Sequence, residues 1–186
     1  MDQRQLVRRA AQGDQQAFDA LVRAASNRLY GIAWRILRDQ YLAEDALQQT
    51  LIAVWNGLPR LRDPDRFDAW TYRLIVRSAT AEARRSTRGR GASPLRADDA
   101  EPAGGVDEIR AVADRDQLER GFKRISPEQR AVLVLQHYAG LTQAEIADVI
   151  GVPIRTAGSR LHYAARALRA AIEADSRLGN SRESIA

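Results

Sequence analysis

The sequence predicts an all-α protein: two small helical domains joined by a flexible linker, the second carrying a helix-turn-helix. Three observations lead there. Apolar residues recur at helical spacing through both halves of the chain, and no strand pattern or internal repeat stands out. Between the halves the composition shifts to glycine, proline and charge; from Ser86 to Gly105 the only large apolar residue is Leu95. The run from Gly140 to Leu161 reads as two short helices about a glycine-marked turn. The expected limits are 1–86 for the first domain, 87–108 for the linker and 109–186 for the second domain.

Each element has a local reason. Asp14 can cap a long helix carrying Phe18, Leu21, Ala25, Leu29, Ile32 and Ile36. A break near Asp39 and Gln40 leads to a second helix with Leu42, Ala46, Leu47, Leu51, Val54 and Trp55 on one side, ended by Gly57-Leu58-Pro59. After a loop from Arg60 to Pro64, Asp65 is placed to cap a third helix. That helix carries Phe67, Trp70, Leu74 and Ile75 and runs to about Arg85. Beyond the linker, a helix from about Val106 to Arg124 is apolar at Ile109, Val112, Leu118 and Phe122. Ser126-Pro127-Glu128-Gln129 combines a cap, a first-turn proline and a capping-box glutamine. Gly140 stops that helix, and Thr142 with Glu145 opens the next, which carries Ile146, Ala147 and Ile150. Gly151 permits a left-handed turn. The last helix starts near Thr156 and continues through Leu168 and Ile172, and the polar tail from Ser176 to Ala186 is expected to fray.

Composition narrows the function. The 186-residue chain has a formal net charge of +5, with Lys123 its only lysine. Arginine suits phosphate forks and base stacking, so an anionic partner is favoured. The absence of cysteine removes disulfides and thiolate metal sites and is compatible with a reducing cytoplasm. No apolar run approaches membrane-spanning length and the start is no signal peptide, so a soluble, cytoplasmic protein without membrane insertion is expected. There is no phosphate-cradling glycine loop, and the two histidines, His137 and His162, sit in no carboxylate cluster. Neither enzymatic activity nor a metal or other cofactor is expected.

Three surfaces stand out. The second helix of a helix-turn-helix can enter a DNA major groove, or the motif can serve packing alone. Leu161, Ala164 and Leu168 read as its core side. Thr156, Ser159, Arg160 and Tyr163 read as groove-facing, with Arg155 just before them. Arg60, Arg62, Tyr72, Arg73, Arg77, Arg84 and Arg85 mix charge with an aromatic ring, whereas Phe67 and Trp70 read as core. Such sets hold single strands, each stacked base contributing roughly 1–3 kcal/mol. Glu44, Asp45, Gln48 and Gln49 share one side of the second helix; by spacing alone this is a solvated polar face.

Several segments, in order, carry a resemblance. They are Leu29-Tyr-Gly-Ile-Ala-Trp-Arg-Ile-Leu37, Ala43-Glu-Asp-Ala-Leu-Gln-Gln-Thr50, Trp55, Phe67-Asp-Ala-Trp-Thr-Tyr-Arg73, Ser126-Pro-Glu-Gln-Arg-Ala-Val-Leu133, Gly140-Leu-Thr-Gln-Ala-Glu-Ile-Ala147 and Ser159-Arg-Leu-His162. Over nearly its whole length the chain resembles bacterial sigma factors of the extracytoplasmic-function group. The resemblance implies a promoter-specificity subunit that binds core RNA polymerase and promoter DNA. Glu44, Asp45, Gln48 and Gln49 would dock on the coiled coil of the largest polymerase subunit. The Arg60–Arg85 set would open the −10 element and hold a flipped base. Arg155, Thr156, Ser159, Arg160 and Tyr163 would read the −35 element. The acidic end of the linker would thread into the polymerase channel, and an anti-sigma factor would be a partner. The chain departs from its relatives at Arg77 and Ala81, where Asn and Asp are usual, and at Gly158, Tyr163 and Ala165, where basic residues are usual. Two alternatives stay open: a stand-alone helix-turn-helix regulator, and a sigma-like protein that binds polymerase with impaired melting.

Overall fold

The structure, a computed structural model, describes residues 2–89 and 110–183. Its order is α1 (Gln3–Ala11), α2 (Gln15–Leu37), α3 (Gln40–Gly57), two single 3-10 turns (Leu58–Arg60 and Pro64–Arg66), α4 (Phe67–Gly89), α5 (Arg110–Arg124), α6 (Pro127–His137), α7 (Gln143–Ile150) and α8 (Ile154–Glu183). The described regular structure is helical throughout, as the apolar periodicity requires.

The caps explain most boundaries. Asp14 accepts the Ala17 amide at 3.0 Å and starts α2. Arg38 takes a left-handed conformation (φ 56°) and ends it, and Asp39 accepts the Leu42 amide at 3.0 Å to start α3. Both capping boxes form: Ser126 with Gln129, and Thr142 with Glu145. Each satisfies two amide donors that the first helical turn leaves free. Gly140 and Gly151 have φ of +70° and +68°, so any side chain there would be strained.

Four expectations need correction. α1 precedes the first expected helix; it buries only Val7 and Ala10, too short a stripe to stand out in the sequence. Asp63, not Asp65, caps the turn before α4, accepting the Asp65 amide at 3.0 Å; α4 itself starts at Phe67. α4 does not end at Arg85 but continues to Gly89. α8 runs to Glu183, so the expected fraying from Ser176 is not observed. The rest of the expected linker, 90–108, lies outside the described residues.

α1 closes one end of the first domain over Leu21, Val54, Leu58 and Phe67. A second, larger apolar cluster ignores the domain division. It joins Leu29, Ile32, Ile36, Tyr72, Ile75 and Val76 of α2 and α4 to Ala131, Val132, Leu135, Ile146 and Val149 of α6 and α7. The two domains therefore share one core, with α6 against α2 and α7 against α4.

Candidate nucleic-acid interface

The helix-turn-helix is built from α7 and α8. Ile146, Ala147 and Val149 of α7 and Ala157, Leu161 and Ala164 of α8 are buried against each other and against α6. Their spacing fixes which side of α8 faces out. Arg155, Ser159, Arg160 and Tyr163 are exposed there, Tyr163 to 63%, and Thr156 is half-buried beside them. All five residues expected on this face are brought together on it. Ser159 Oγ donates to the Arg155 carbonyl at 3.1 Å, so the hydroxyl is held against its own helix.

Two further residues on this face escaped sequence reading. Ile154 is 54% exposed at the start of α8. Gln143, the first residue of α7, reaches across and donates from Nε2 to the Ile154 carbonyl at 2.9 Å. Its amide lies over Gly158: a Cβ there would fall 2.5 Å from Gln143 Nε2. The glycine at this position is therefore matched to a glutamine that covers it.

The arginine set of the first domain divides. Arg60 and Arg62 flank the bend before α4 and Arg77 lies on α4, all three exposed. Arg84 donates to Glu128 at 3.2 Å, and Arg85 to Glu82 at 2.6 Å. Both arginine side chains remain well exposed; the Arg84–Glu128 pair, exposed at both ends, contributes about 0–1 kcal/mol, so a phosphate can displace that carboxylate, whereas Arg85 faces the buried Glu82. Arg73 instead donates to the backbone carbonyl and the carboxylate of Asp148 on α7, at 2.9 and 3.1 Å.

Tyr72 is a correction. The sequence reading turned its ring toward DNA, but it is 5% exposed, within the core shared by the two domains. The Arg28 guanidinium lies 5.2 Å from its ring centroid. Burial raises the pKa of its phenol, with Arg28 opposing the rise, and Tyr138 of the second domain is close enough to add to it. A side chain so enclosed cannot stack on a base in this arrangement.

The α3 face is also redrawn. Glu44, Asp45 and Gln48 are exposed. Gln49 turns away and donates to the buried Glu82 of α4 at 2.5 Å. Tyr41 and Ile52, 75% and 56% exposed, extend the face at helical spacing from Asp45 and Gln48.

Among the described residues no group of His, Asp and Glu could hold a metal ion, and no helix is long and apolar enough to cross a membrane.

Comparison with known proteins follows the same division. Residues 21–89 match the family model for sigma-70 region 2, and residues 121–170 that for sigma-70 region 4. The chain is 32% identical over 160 residues to the ECF RNA polymerase sigma factor SigL of Mycobacterium tuberculosis, covering 83% of this chain and 90% of that protein. It is 29% identical over 181 residues to the RNA polymerase sigma-H factor of Pseudomonas aeruginosa, covering 91% and 93% of the two chains. Among solved structures it is similar to CnrH in complex with the cytosolic domain of CnrY. The TM-score is 0.66 at 26% identity, over 93% of this chain and 98% of that one.

Proposed function

Because the chain belongs to the extracytoplasmic-function sigma factors of RNA polymerase, we propose that it divides promoter recognition between its two domains. α8 reads the upstream −35 element in the major groove through Arg155, Thr156, Ser159, Arg160 and Tyr163. The observation that carries this is the sidedness of α8: Ala157, Leu161 and Ala164 are buried, and the opposite face offers two arginines, hydroxyls and a tyrosine.

In the first domain, Arg60, Arg62, Arg77, Arg84 and Arg85 supply the positive track for the opened −10 strand. Flipping a base costs a few kcal/mol, which such contacts must offset. α3 docks on core polymerase through Glu44, Asp45 and Gln48, with Tyr41 and Ile52 as apolar anchors; Gln49 supports α4 instead. Promoter opening then draws on binding free energy, with no chemical step on the chain.

The solved structure of CnrH is a complex with the cytosolic domain of CnrY, and that of RpoE from Bartonella quintana is a complex with the anti-sigma factor NepR. We extend that to a protein inhibitor, an anti-sigma factor, acting on this chain. It would have to cover at least one of the two DNA faces.

Transcription from a genomic promoter library with purified core polymerase and this protein is the test. Defined start sites that vanish in the Arg155→Ala, Arg160→Ala double variant are expected. Binding to core polymerase with start sites that ignore that variant would remove α8 from the reading. Footprints on palindromic duplex without polymerase would favour a stand-alone regulator.

A further inference from the structure

We propose that the buried carboxylate of Glu82 is a positioning group for strand binding: it holds the Arg85 guanidinium by one N–H so that the other donors project toward the opened strand, and Gln49 fixes that carboxylate from α3. The place of Arg85 on the strand rests on the function proposed above; the fixing of its side chain does not.

The carboxylate sits in a seam made of small residues. Ala43 and Ala46 of α3 and Ala79 of α4 are fully buried where the two helices pack. Glu82, on the next turn of α4, is 7% exposed. A carboxylate so enclosed is costly unless it is paired and hydrogen-bonded. Both of its donors reach the same oxygen: Gln49 Nε2 lies 2.5 Å from Oε1, and Arg85 Nη1 lies 2.6 Å from it.

The packing of the seam does not need this charge. Thr50, fully buried, places its Oγ1 2.8 Å from the Ala46 carbonyl and 3.1 Å from Ser78 Oγ. That neutral contact already fixes α3 against α4 one turn before Glu82. An apolar side chain at 82 would fill the seam without desolvating an ion. What a carboxylate adds there is a hold on a guanidinium.

The hold leaves Arg85 usable. Its side chain is 65% exposed, so one N–H is taken from within and the rest of the fork stays in solvent. A free arginine loses much rotamer freedom when it meets a phosphate; one already anchored loses less. Arg73 and Arg84 have no comparable anchor, since their carboxylates are themselves 42% and 50% exposed. Among the described residues, Arg85 alone of the strand-binding set is paired to a buried acid. Gln49 stands at the edge of the outward face of α3, one turn from Asp45 and beside Gln48. The setting of Arg85 therefore depends on where α3 sits.

A purely coulombic view predicts the opposite sign. A carboxylate beside a phosphate site repels the phosphate, so removing it should tighten binding. Positioning predicts that removing it weakens binding.

The test uses the full-length chain at low salt. Oligo-dT anisotropy over a salt series reads the strand face, and 15N relaxation of the Arg85 Nε–H reads side-chain order without nucleic acid. Glu82→Gln removes the charge at nearly constant shape, and Gln49→Ala leaves every charge in place. Both should keep wild-type helicity and loosen the Arg85 Nε–H. Glu82→Gln should bind oligo-dT about fivefold more weakly, the cost of ordering one freed side chain, and Gln49→Ala should weaken it less. Arg85→Ala should lower the salt slope by about 0.7, one phosphate contact on a single strand. In the Arg85→Ala background neither variant should weaken binding further. Unchanged or tighter binding by Glu82→Gln would overturn the positioning role. So would weakening that persists without Arg85, or an Arg85 Nε–H equally ordered in wild type and variants. An unchanged slope in Arg85→Ala would instead remove Arg85 from the strand, so failure of the function proposed above and failure of the positioning are told apart.

Discussion

Gly158→Arg puts the missing charge back on the recognition face, and its consequences can be worked out. Any side chain at 158 first meets Gln143: the new Cβ would lie 2.5 Å from Nε2 and 3.0 Å from Cδ. Those atoms are the far end of a flexible side chain, so Gln143 swings aside and gives up its bond to the Ile154 carbonyl. A hydrogen bond of that kind contributes about 0.5–1.5 kcal/mol. Replacing glycine inside α8 returns about 1 kcal/mol of helix propensity. The two nearly cancel, so Gly158→Ala should leave stability within about 0.5 kcal/mol of wild type in urea unfolding. Gly158→Arg should do the same and add one phosphate contact. Each neutralised phosphate steepens the dependence of log affinity on log salt by about 0.9. Anisotropy titrations on a short mixed-sequence duplex, across a salt series, read that slope. Gly158→Ala should keep the wild-type slope and Gly158→Arg should exceed it by about one contact. A folded Gly158→Arg variant with the wild-type slope would refute the placement of residue 158 against DNA.

Arg130→Met should stabilise the protein. Burial, joined by the nearby Arg38 charge, lowers the Arg130 pKa to about 10, with Glu128 opposing. At about 1.4 kcal/mol per unit the charged group costs up to about 3 kcal/mol, so a gain of about 1–3 kcal/mol is expected in chemical unfolding near neutral pH. Because the native pKa lies below the unfolded one, that cost is fully present below pH 10 and fades above it; a loss of stability in Arg130→Met would show the guanidinium to be well paired. Asp39→Ala removes the cap of α3 and should cost about 1–2 kcal/mol, read by thermal unfolding at fixed pH. Acid should weaken the fold through Asp14 and Glu145, whose native pKa values are lowered by hydrogen bonds, from the Ala17 amide and Arg9 for Asp14 and from Thr142 for Glu145. Their contribution is present above the ordinary carboxylate range and is lost as pH falls through the lowered native values, so urea midpoints measured downward from neutral pH should drop earlier in wild type than in Glu145→Gln. Arg77→Asn with Ala81→Asp, the pair that the family resemblance leads one to expect, should increase permanganate reactivity of promoter thymines in the polymerase complex; no change would mean that these two positions do not limit melting.

Local chemistry was readable from the sequence and long-range enclosure was not. Both capping boxes and the Gly151 turn depend on residues within four positions of each other, so spacing alone located them. The exposed side of α8 followed from the same periodicity that buries Ala157, Leu161 and Ala164. Asp63 and Asp65 flank Pro64 and either could cap, so the boundary was missed by a local ambiguity. The surroundings of Tyr72, Arg73 and Gln49 were hidden for another reason. Their surroundings come from Tyr138, Asp148 and Glu82, distant in sequence, and nothing in the spacing of α3 or α4 announces them. Gly158 looked like a lost contact until Gln143 was seen lying over it.

That the shared core encloses Tyr72 while the outer side of α8 stays exposed bears on how such a chain would survive among competing polyanions. Cellular RNA is an abundant, unstructured trap for any surface that stacks unpaired bases and tracks phosphates. With Tyr72 sealed and Arg73 held by Asp148, the unliganded chain offers unpaired bases no tyrosine of this set to stack on, and leaves RNA the salt-sensitive phosphate contacts of the exposed arginines. The α8 helix, suited to a wide major groove that the A-form double helix lacks, stays available to scan chromosomal duplex by sliding and hopping. The chain would then roam on the chromosome without being titrated away by transcripts, and acquire its taste for unpaired bases only where a polymerase is present to use it.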